Sequence, residues 1–184
     1  YAPLALWIPY ERYRCTHLTH HNDERLTDPL DDPESRYVAA GDWARLGTAL
    51  QGLVRAQATL LGRLTIGPFW AISTFFAAEA RATCAGDRAL AGIWMVHGVS
   101  VAVVLTWVTV ICGMSVLAYI GLIVIPGTSL MLIRSFAEHR ANRAVEHRTA
   151  IVEGSWFLGV LYLFNNLHAA HHARRHVARR VADV

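Results

Sequence analysis

The chain has 184 residues, of which 54% are hydrophobic and 17% are charged. Because an average soluble domain is about 45–50% apolar and about 25% charged, this composition excludes an intrinsically disordered chain and argues against an ordinary soluble domain. The net charge of +3 is uneven, with four Arg and seven acidic residues in residues 1–36 but eight Arg and four acidic residues in residues 134–184. No basic patch interleaved with aromatic residues indicates nucleic-acid binding. The sequence therefore predicts a membrane protein with a few spans.

Three segments are predicted before residue 40. Residues 1–10 are apolar but too short to cross a membrane, so we expect them to end a span that begins upstream in a longer chain. Residues 11–21 predict a polar helix. Residues 22–35, NDERLTDPLDDPES, favour a solvated acidic loop with Asp and Ser as helix caps. A docking site for a basic redox partner is the alternative interpretation of this loop.

Two interfacial segments are predicted next. In residues 41–64, Leu and Val recur at helical spacing with Arg45, Arg55 and Arg63 between them, which predicts an amphipathic helix at the membrane interface. Residues 65–78 carry no charge but fall short of the roughly 20 residues that a span needs. We therefore expect residues 65–78 to be interfacial or re-entrant.

The strongest membrane signal is the 45-residue run 89–133, which contains no Asp, Glu, Lys or Arg. As helix at 1.5 Å per residue this run reaches roughly 67 Å, about two crossings of a 30 Å hydrocarbon core. With a turn at 112–115, we expect spans at about 90–111 and 115–133, the second kinked near Pro126. Arg88 and Arg134 flank the two ends of this hairpin, and the positive-inside rule predicts that both ends face the cytoplasm.

The predicted fold is therefore an all-α integral membrane protein. It comprises a transmembrane helical hairpin, interfacial helices and a cytosolic His-rich cap, as a single domain over residues 1–184. The apolar stretch 155–164 is only ten residues long, and we expect it to be a partly embedded helix that leads into the cap.

A short histidine word, HxxHH, occurs twice, about 150 residues apart. The two copies are His17, His20 and His21, and His168, His171 and His172. Positions i, i+3 and i+4 share one face of a helix, so each word directs three imidazoles to one spot. The predicted hairpin returns both words to the same side of the membrane. Imidazole suits zinc, copper, iron and nickel, and six ligands exceed the four of one zinc, so we predict a two-metal centre.

These two words, with a hydrophobic hairpin between them, resemble the membrane fatty acid desaturase/hydroxylase superfamily. The stretches THLTHHNDERLTDPLDDPES and RSFAEHR…NNLHAAHH are especially similar to bacterial fatty acid desaturases, from about Tyr10 to Ala173. The resemblance implies two non-haem iron ions and a multi-pass protein of the bacterial inner membrane with its active site on the cytoplasmic side. It also implies O₂-dependent introduction of a double bond into an acyl lipid or carrier-bound acyl chain. The electrons would come from an external ferredoxin- or cytochrome-type donor.

The superfamily has three His boxes and one further His ligand after the last span. In this sequence the resemblance assigns that ligand to His139, in SFAEHR, whereas we expect His147 to be solvated. The implied metal ligands are His17, His20, His21, His139, His168, His171 and His172. The first box, HxxxH, is absent before His17, so we expect the sequence to be truncated at its amino-terminal end. Ser135 stands where related enzymes often carry Asn.

Other polar residues have mainly structural interpretations. His97 lies within the first predicted span and is expected to pack between helices. Cys15, two residues before His17, falls on a different helix face. Candidates for hydrogen bonds to the ligand imidazoles are Glu138, Glu153, Asn165 and Asn166.

Two alternatives to the desaturase remain open at this point. The same di-iron centre in a hydroxylase or ketolase inserts oxygen into an alkane, sterol or carotenoid. The alternative from another class is a membrane metal-binding protein without activity, including a truncated and inactive remnant.

Overall fold

The computed structural model describes residues 2–21, 25–162, 168, 169 and 172. Over these residues the regular structure is helical, and the β pairing among them amounts to an isolated bridge between His139 and Thr149. The α-helices are α1 Tyr10–His20, α2 Ala40–Arg45, α3 Thr48–Gln57, α4 Leu60–Cys84, α5 Arg88–Thr106, α6 Val116–Tyr119, α7 Ile125–Glu138 and α8 Trp156–Leu161. The prediction of an all-α fold is confirmed.

Three helical segments are long and apolar enough to cross a membrane: Leu60–Cys84, Arg88–Ile111 and Val116–Glu138. The second consists of α5 and the π-helical turn Trp107–Ile111, and the third of α6, the π-helical turn Ile120–Val124 and α7. These two segments coincide, within a few residues, with the predicted spans 90–111 and 115–133. The chain is a membrane protein, as its composition predicts.

Local chemistry explains where the two hairpin helices begin. The Asp87 carboxylate accepts from Leu90 N over 3.2 Å, and Ser115 Oγ accepts from Ala118 N over 3.2 Å, so each helix has an N-cap. Gly113, between them, has φ +63°, a conformation in which glycine lacks the steric cost of a side chain. Within the uncharged run, Gly113 therefore permits the turn and Ser115 starts the second helix.

Helix α4 differs from the prediction. Instead of an amphipathic helix over 41–64 and a separate segment 65–78, the chain forms α2, α3 and one continuous helix from Leu60 to Cys84. Pro68, inside α4, has no N–H to donate to Leu64 O, and Ser129 Oγ donates to that carbonyl over 3.0 Å instead. Gly67 allows α4 and α7 to lie close together, because a Cβ added at this position would lie 2.9 Å from Leu132 Cδ1.

Both halves of α4 contact the same end of the hairpin. Near its start, Arg63 Nη1 donates to Leu132 O over 3.0 Å, and near its end Glu79 Oε2 accepts from Trp94 Nε1 over 3.0 Å. Position 94 is six residues from the start of α5 and position 132 is six residues from the end of α7, about 9 Å of helix in each case. Both positions are about 25 Å of helix from the turn at 112–115.

The residues before α1 pack against the hairpin helices. Trp7 joins Val104, Val108, Tyr119 and Val124 in a buried apolar cluster. Three hydrogen bonds tie this segment down: Tyr119 Oη to Leu4 O at 2.8 Å, His97 Nε2 to Leu6 O at 2.8 Å, and Trp7 Nε1 to Thr128 Oγ1 at 3.2 Å. His97 is therefore a helix-packing residue.

The chain divides into two compact units. The first comprises residues 1–15 and 47–133 and contains α3, α4, α5 and most of the third apolar segment. The second comprises residues 16–46 and 134–184 and contains both HxxHH words.

Candidate metal centre

Four histidines of the second unit converge on one point. Ring nitrogens of His20, His139, His168 and His172 all lie within 4.8 Å of one another, a group that could hold a metal ion. Three of these side chains are buried, and His139 is partly buried. The cluster combines the first HxxHH word, the second word and the histidine that follows α7.

The Nε2 atoms face each other at distances that suit coordination. His139 Nε2 lies 3.0 Å from His20 Nε2 and 3.2 Å from His168 Nε2, and His168 Nε2 lies 3.0 Å from His172 Nε2. Two imidazole nitrogens that bind one metal at about 2.1 Å are about 3.0 Å apart when the angle at the metal is a right angle. The rings are therefore already arranged around a common centre.

A carboxylate orients the imidazole of His20 from behind. His20 Nδ1 lies 2.9 Å from Asp32 Oδ1 and 3.0 Å from Asp32 Oδ2, and both side chains are almost fully buried. Nδ1–H donates to the carboxylate, which leaves the Nε2 lone pair for a metal. Metal-binding histidines almost always have such an acceptor, which sets the tautomer and the ring orientation.

The acidic loop is built around Asp32. Its two oxygens accept from Thr27 N at 2.8 Å and Glu34 N at 2.9 Å, in addition to His20. Ser35 Oγ donates to Thr27 O over 3.1 Å, and Thr27 adopts a positive φ of 67°. The predicted solvated loop is therefore wrong for Asp32, which the fold buries as a hydrogen-bond acceptor. The exposed Asp31 fits the prediction.

His17 and His21 form a pair beside the cluster. Their Nε2 atoms are 3.1 Å apart, and His17 Nδ1 lies 3.1 Å from Glu34 Oε1. The His21 ring stacks on that of His172 at 4.1 Å between centroids. All three histidines of the first word thus point into one region, as the helical spacing predicts.

Backbone pairing after α7 holds His139 in place. Ala150 N donates to Glu138 O over 2.9 Å, and Arg140 N donates to Arg148 O over 3.0 Å, one on each side of His139. The Arg148 side chain extends this pairing, because its Nη1 donates to Leu26 O over 2.9 Å. A hydrogen bond from Arg148 therefore joins the loop that carries His139 to the loop that carries Asp32.

A second carboxylate serves His168. Glu138 Oε2 lies 3.4 Å from His168 Nδ1, and Glu138 Oε1 accepts from Arg134 Nε over 2.7 Å. Arg134, one helical turn before Glu138, thus fixes the carboxylate of the residue that precedes His139. Of the two glutamates that the sequence offered, Glu138 is buried and contacts a clustered histidine, whereas Glu153 is exposed.

The electrostatics favour a neutral His139 and an ionised Asp32. Burial, together with the charges of His20 and His172, lowers the pKa of His139 to about 3, so its ring is neutral at physiological pH. Burial raises the pKa of Asp32, but the hydrogen bond and charge of His20 outweigh burial and leave that pKa below its ordinary value. Burial lowers the pKa of His20, but the Asp32 hydrogen bond and the charge of Glu34 outweigh it and raise that pKa. An ionised Asp32 therefore faces His20.

The remaining candidates lie elsewhere or outside the described residues. His147 is exposed on a short 3₁₀ turn, and His97 is in the first unit, bonded to Leu6 O. Cys15 is exposed. His171, Asn165 and Asn166 lie outside the described residues.

Asp32 and Glu34 are the site residues that the sequence did not single out. A usable signal existed, because metal-binding histidines need acceptors and these are acidic residues close in sequence to the first word. Local sequence does not distinguish them from the exposed Asp31, since only the fold decides which carboxylate turns inward.

The donor set fits iron. Imidazole is a common ligand of non-haem iron, and carboxylates stand behind the rings of His20 and His168, where metal-binding histidines need an acceptor. This group of nitrogens could therefore hold a metal cation at its centre.

Comparison with known proteins identifies the family. A sequence model described as fatty acid desaturase matches residues 2–180, nearly the whole chain. Neither the curated proteins nor the solved structures give a significant match. The match confirms the resemblance carried by the two HxxHH words. The chain belongs to the fatty acid desaturase family.

Proposed function

We propose that this protein is an O₂-dependent desaturase that introduces a double bond into the acyl chain of a lipid or of a carrier-bound fatty acid. The family supports a membrane desaturase or hydroxylase with two non-haem irons. The observation that supports the proposal most is the convergence of four Nε2 atoms within 4.8 Å, with carboxylates behind two of the rings.

The proposed metal ligands are His17, His20, His21, His139, His168, His171 and His172. When bound, iron supplies the O₂-dependent oxidation of an unactivated C–H bond. His20 holds its Nδ1 proton against Asp32, and His168 directs Nδ1 toward Glu138, so both rings keep a fixed tautomer. The protein thereby contributes ligand geometry that does not rearrange during the reaction.

The proposed reaction balances with one external reductant. A –CH₂–CH₂– unit and O₂, with two electrons and two protons, give –CH=CH– and two waters. A ferredoxin- or cytochrome-type donor supplies the electrons. The substrate reaches the centre from the bilayer, which the apolar helices occupy.

We also propose that the site lies on the cytoplasmic side of a bacterial inner membrane. His20 and His139 are in contact, so the chain between them crosses the membrane an even number of times. Three helices are long enough to cross, and α4 contacts the open end of the hairpin through both of its halves. We therefore assign α5 and the Val116–Glu138 segment as the crossing pair and place α4 along the membrane surface.

Product analysis tests the reaction. Membranes that contain the protein, expressed from its full reading frame, receive an acyl substrate, a reduced ferredoxin and ¹⁸O₂, and the products are examined by mass spectrometry. A product two mass units lighter, without label, supports desaturation. A product that carries ¹⁸O and no new double bond would identify a hydroxylase or ketolase. Less than one iron per chain in the purified protein would contradict both.

A further inference from the structure

A charged network lies in the first unit, outside the histidine cluster. Glu79, on α4, is 4% exposed although its helix is apolar enough to span a membrane. Its Oε1 accepts from Arg12 Nε at 2.9 Å and Nη2 at 2.7 Å, and its Oε2 accepts from Trp94 Nε1 at 3.0 Å. One carboxylate thus joins α1, α4 and α5.

A buried carboxylate here is costly unless it is fully paired. Removing two charges from water costs several kcal/mol per ion, and an apolar pair of similar volume is often equally stabilising. Stability alone therefore does not explain why this pair is charged.

Arg12 lies on the same helix as two of the proposed ligands. It lies in the first turn of α1, which continues without interruption to His20. His17 and His20 follow five and eight residues later, about 7.5 Å and 12 Å along the same helix. His20 is the buried residue of α1, so the helix has little apolar packing of its own to fix its position.

From this arrangement we propose that Arg12, Glu79 and Trp94 form a positioning network that sets the axial placement of α1 and, through α1, the first HxxHH word. Glu79 is the central positioning residue, because it alone joins the other two. This inference rests on the proposed metal centre. A shift of α1 by a fraction of a turn would separate His20 Nε2 from His139 Nε2, which are now 3.0 Å apart.

Iron affinity tests the inference. The protein, expressed from its full reading frame and purified in detergent, is titrated with ferrous iron, and the Kd and the stoichiometry are measured. We expect Glu79→Gln and Arg12→Ala each to weaken iron binding about tenfold, the lower end of the loss seen when a partner of a metal-binding histidine is removed.

The matched control lies on the same helix. Arg14 pairs with Glu11 at 3.8 Å, with both side chains 55% exposed, so Arg14→Ala removes a charge without disturbing a buried network. We expect its iron Kd to equal that of the unmodified protein. A role confined to stability would lower the melting temperature of Glu79→Gln but leave the Kd of the folded fraction unchanged.

The outcomes separate this inference from the proposed function. If the unmodified protein binds two irons and Glu79→Gln binds them with the same Kd, the positioning role is wrong and the metal centre stands. If the unmodified protein binds no iron, both are overturned. If Glu79→Ala fails to fold, the milder Glu79→Gln, which keeps an oxygen for hydrogen bonding, decides the question.

Discussion

His20 Nδ1 lies 2.9 Å from Asp32 Oδ1, although the two residues come from a helix and from an acidic loop twelve positions later. Because of this contact, the acidic loop, whose sequence predicts exposure to solvent, contributes Asp32 to the metal site. Because the carboxylate fixes the tautomer of His20, removal of Asp32 should weaken metal binding more than the loss of an ordinary surface charge.

For Asp32→Ala we therefore expect iron affinity to fall about 10- to 100-fold, the range found for partners of metal-binding histidines. The same change also frees Thr27 N and Glu34 N, so some loss of stability should accompany it. The neighbouring and exposed Asp31→Ala is the control and should change neither quantity. Equal iron Kd values for the two variants, measured by titration, would contradict the role of Asp32.

His168 and His147 provide a second test, within the region after the last span. His168 is 2% exposed and faces His139 and His172, whereas His147 is exposed on a 3₁₀ turn. We expect His168→Ala to lose at least one iron per chain and all desaturation, and His147→Ala to retain both. Iron analysis of the purified variants checks this expectation, and normal iron in His168→Ala would remove it from the ligand set.

Glu138 is expected to act through His168. Its Oε2 lies 3.4 Å from His168 Nδ1, and its Oε1 is held by Arg134. Glu138→Gln retains the shape but loses the negative charge, so iron binding should weaken about tenfold. Glu153→Gln, at an exposed position, is the matched control. The prediction fails if the two glutamine variants bind iron alike.

His97 should behave as a structural residue. It is 4% exposed, and its Nε2 donates to Leu6 O over 2.8 Å. His97→Ala removes this hydrogen bond to the part-buried Leu6 carbonyl, which costs about 0.5–1.5 kcal/mol of unfolding free energy. The iron stoichiometry should remain that of the unmodified protein. A parallel loss of iron, measured on the folded fraction, would instead connect His97 with the metal centre.

The parts of the fold that can be predicted depend on residues close together in the sequence, whereas the other parts depend on contacts between residues far apart in it. The hairpin follows from an uncharged run, and its turn follows from Gly113 and the Ser115 cap, all of which are local. The convergence of the histidines follows from helical spacing and from the return of the hairpin. Both features are visible in the sequence. The hairpin appears as a run without charged residues, and the convergence of the histidines appears as a repeated HxxHH word.

Helix α4 could not be predicted because distant residues compensate for its local defects. Pro68 and Arg63 suggest an interrupted helix, but Ser129 Oγ satisfies Leu64 O and Leu132 O satisfies Arg63. Asp32 escaped prediction for the same reason. Its neighbours in sequence resemble those of the exposed Asp31, and only the contact with His20 separates them.

The three cysteines give a direct test of the membrane topology. Cys15, Cys84 and Cys112 are all exposed and outside disulfides, and they lie in α1, at the end of α4 and at the hairpin turn. If α4 lies along the surface, Cys15 and Cys84 share one side and Cys112 is on the other. If α4 crosses, Cys15 shares a side with Cys112 instead.

Single-cysteine variants, with Ser at the other two positions, are treated in oriented vesicles with a maleimide that does not cross membranes. We expect Cys15 and Cys84 to react from the cytoplasmic side and Cys112 from the opposite side. Reaction of Cys15 and Cys112 from a common side would overturn the assignment of α4. That result would also be incompatible with the contact between His20 and His139, because an odd number of crossings would then separate them.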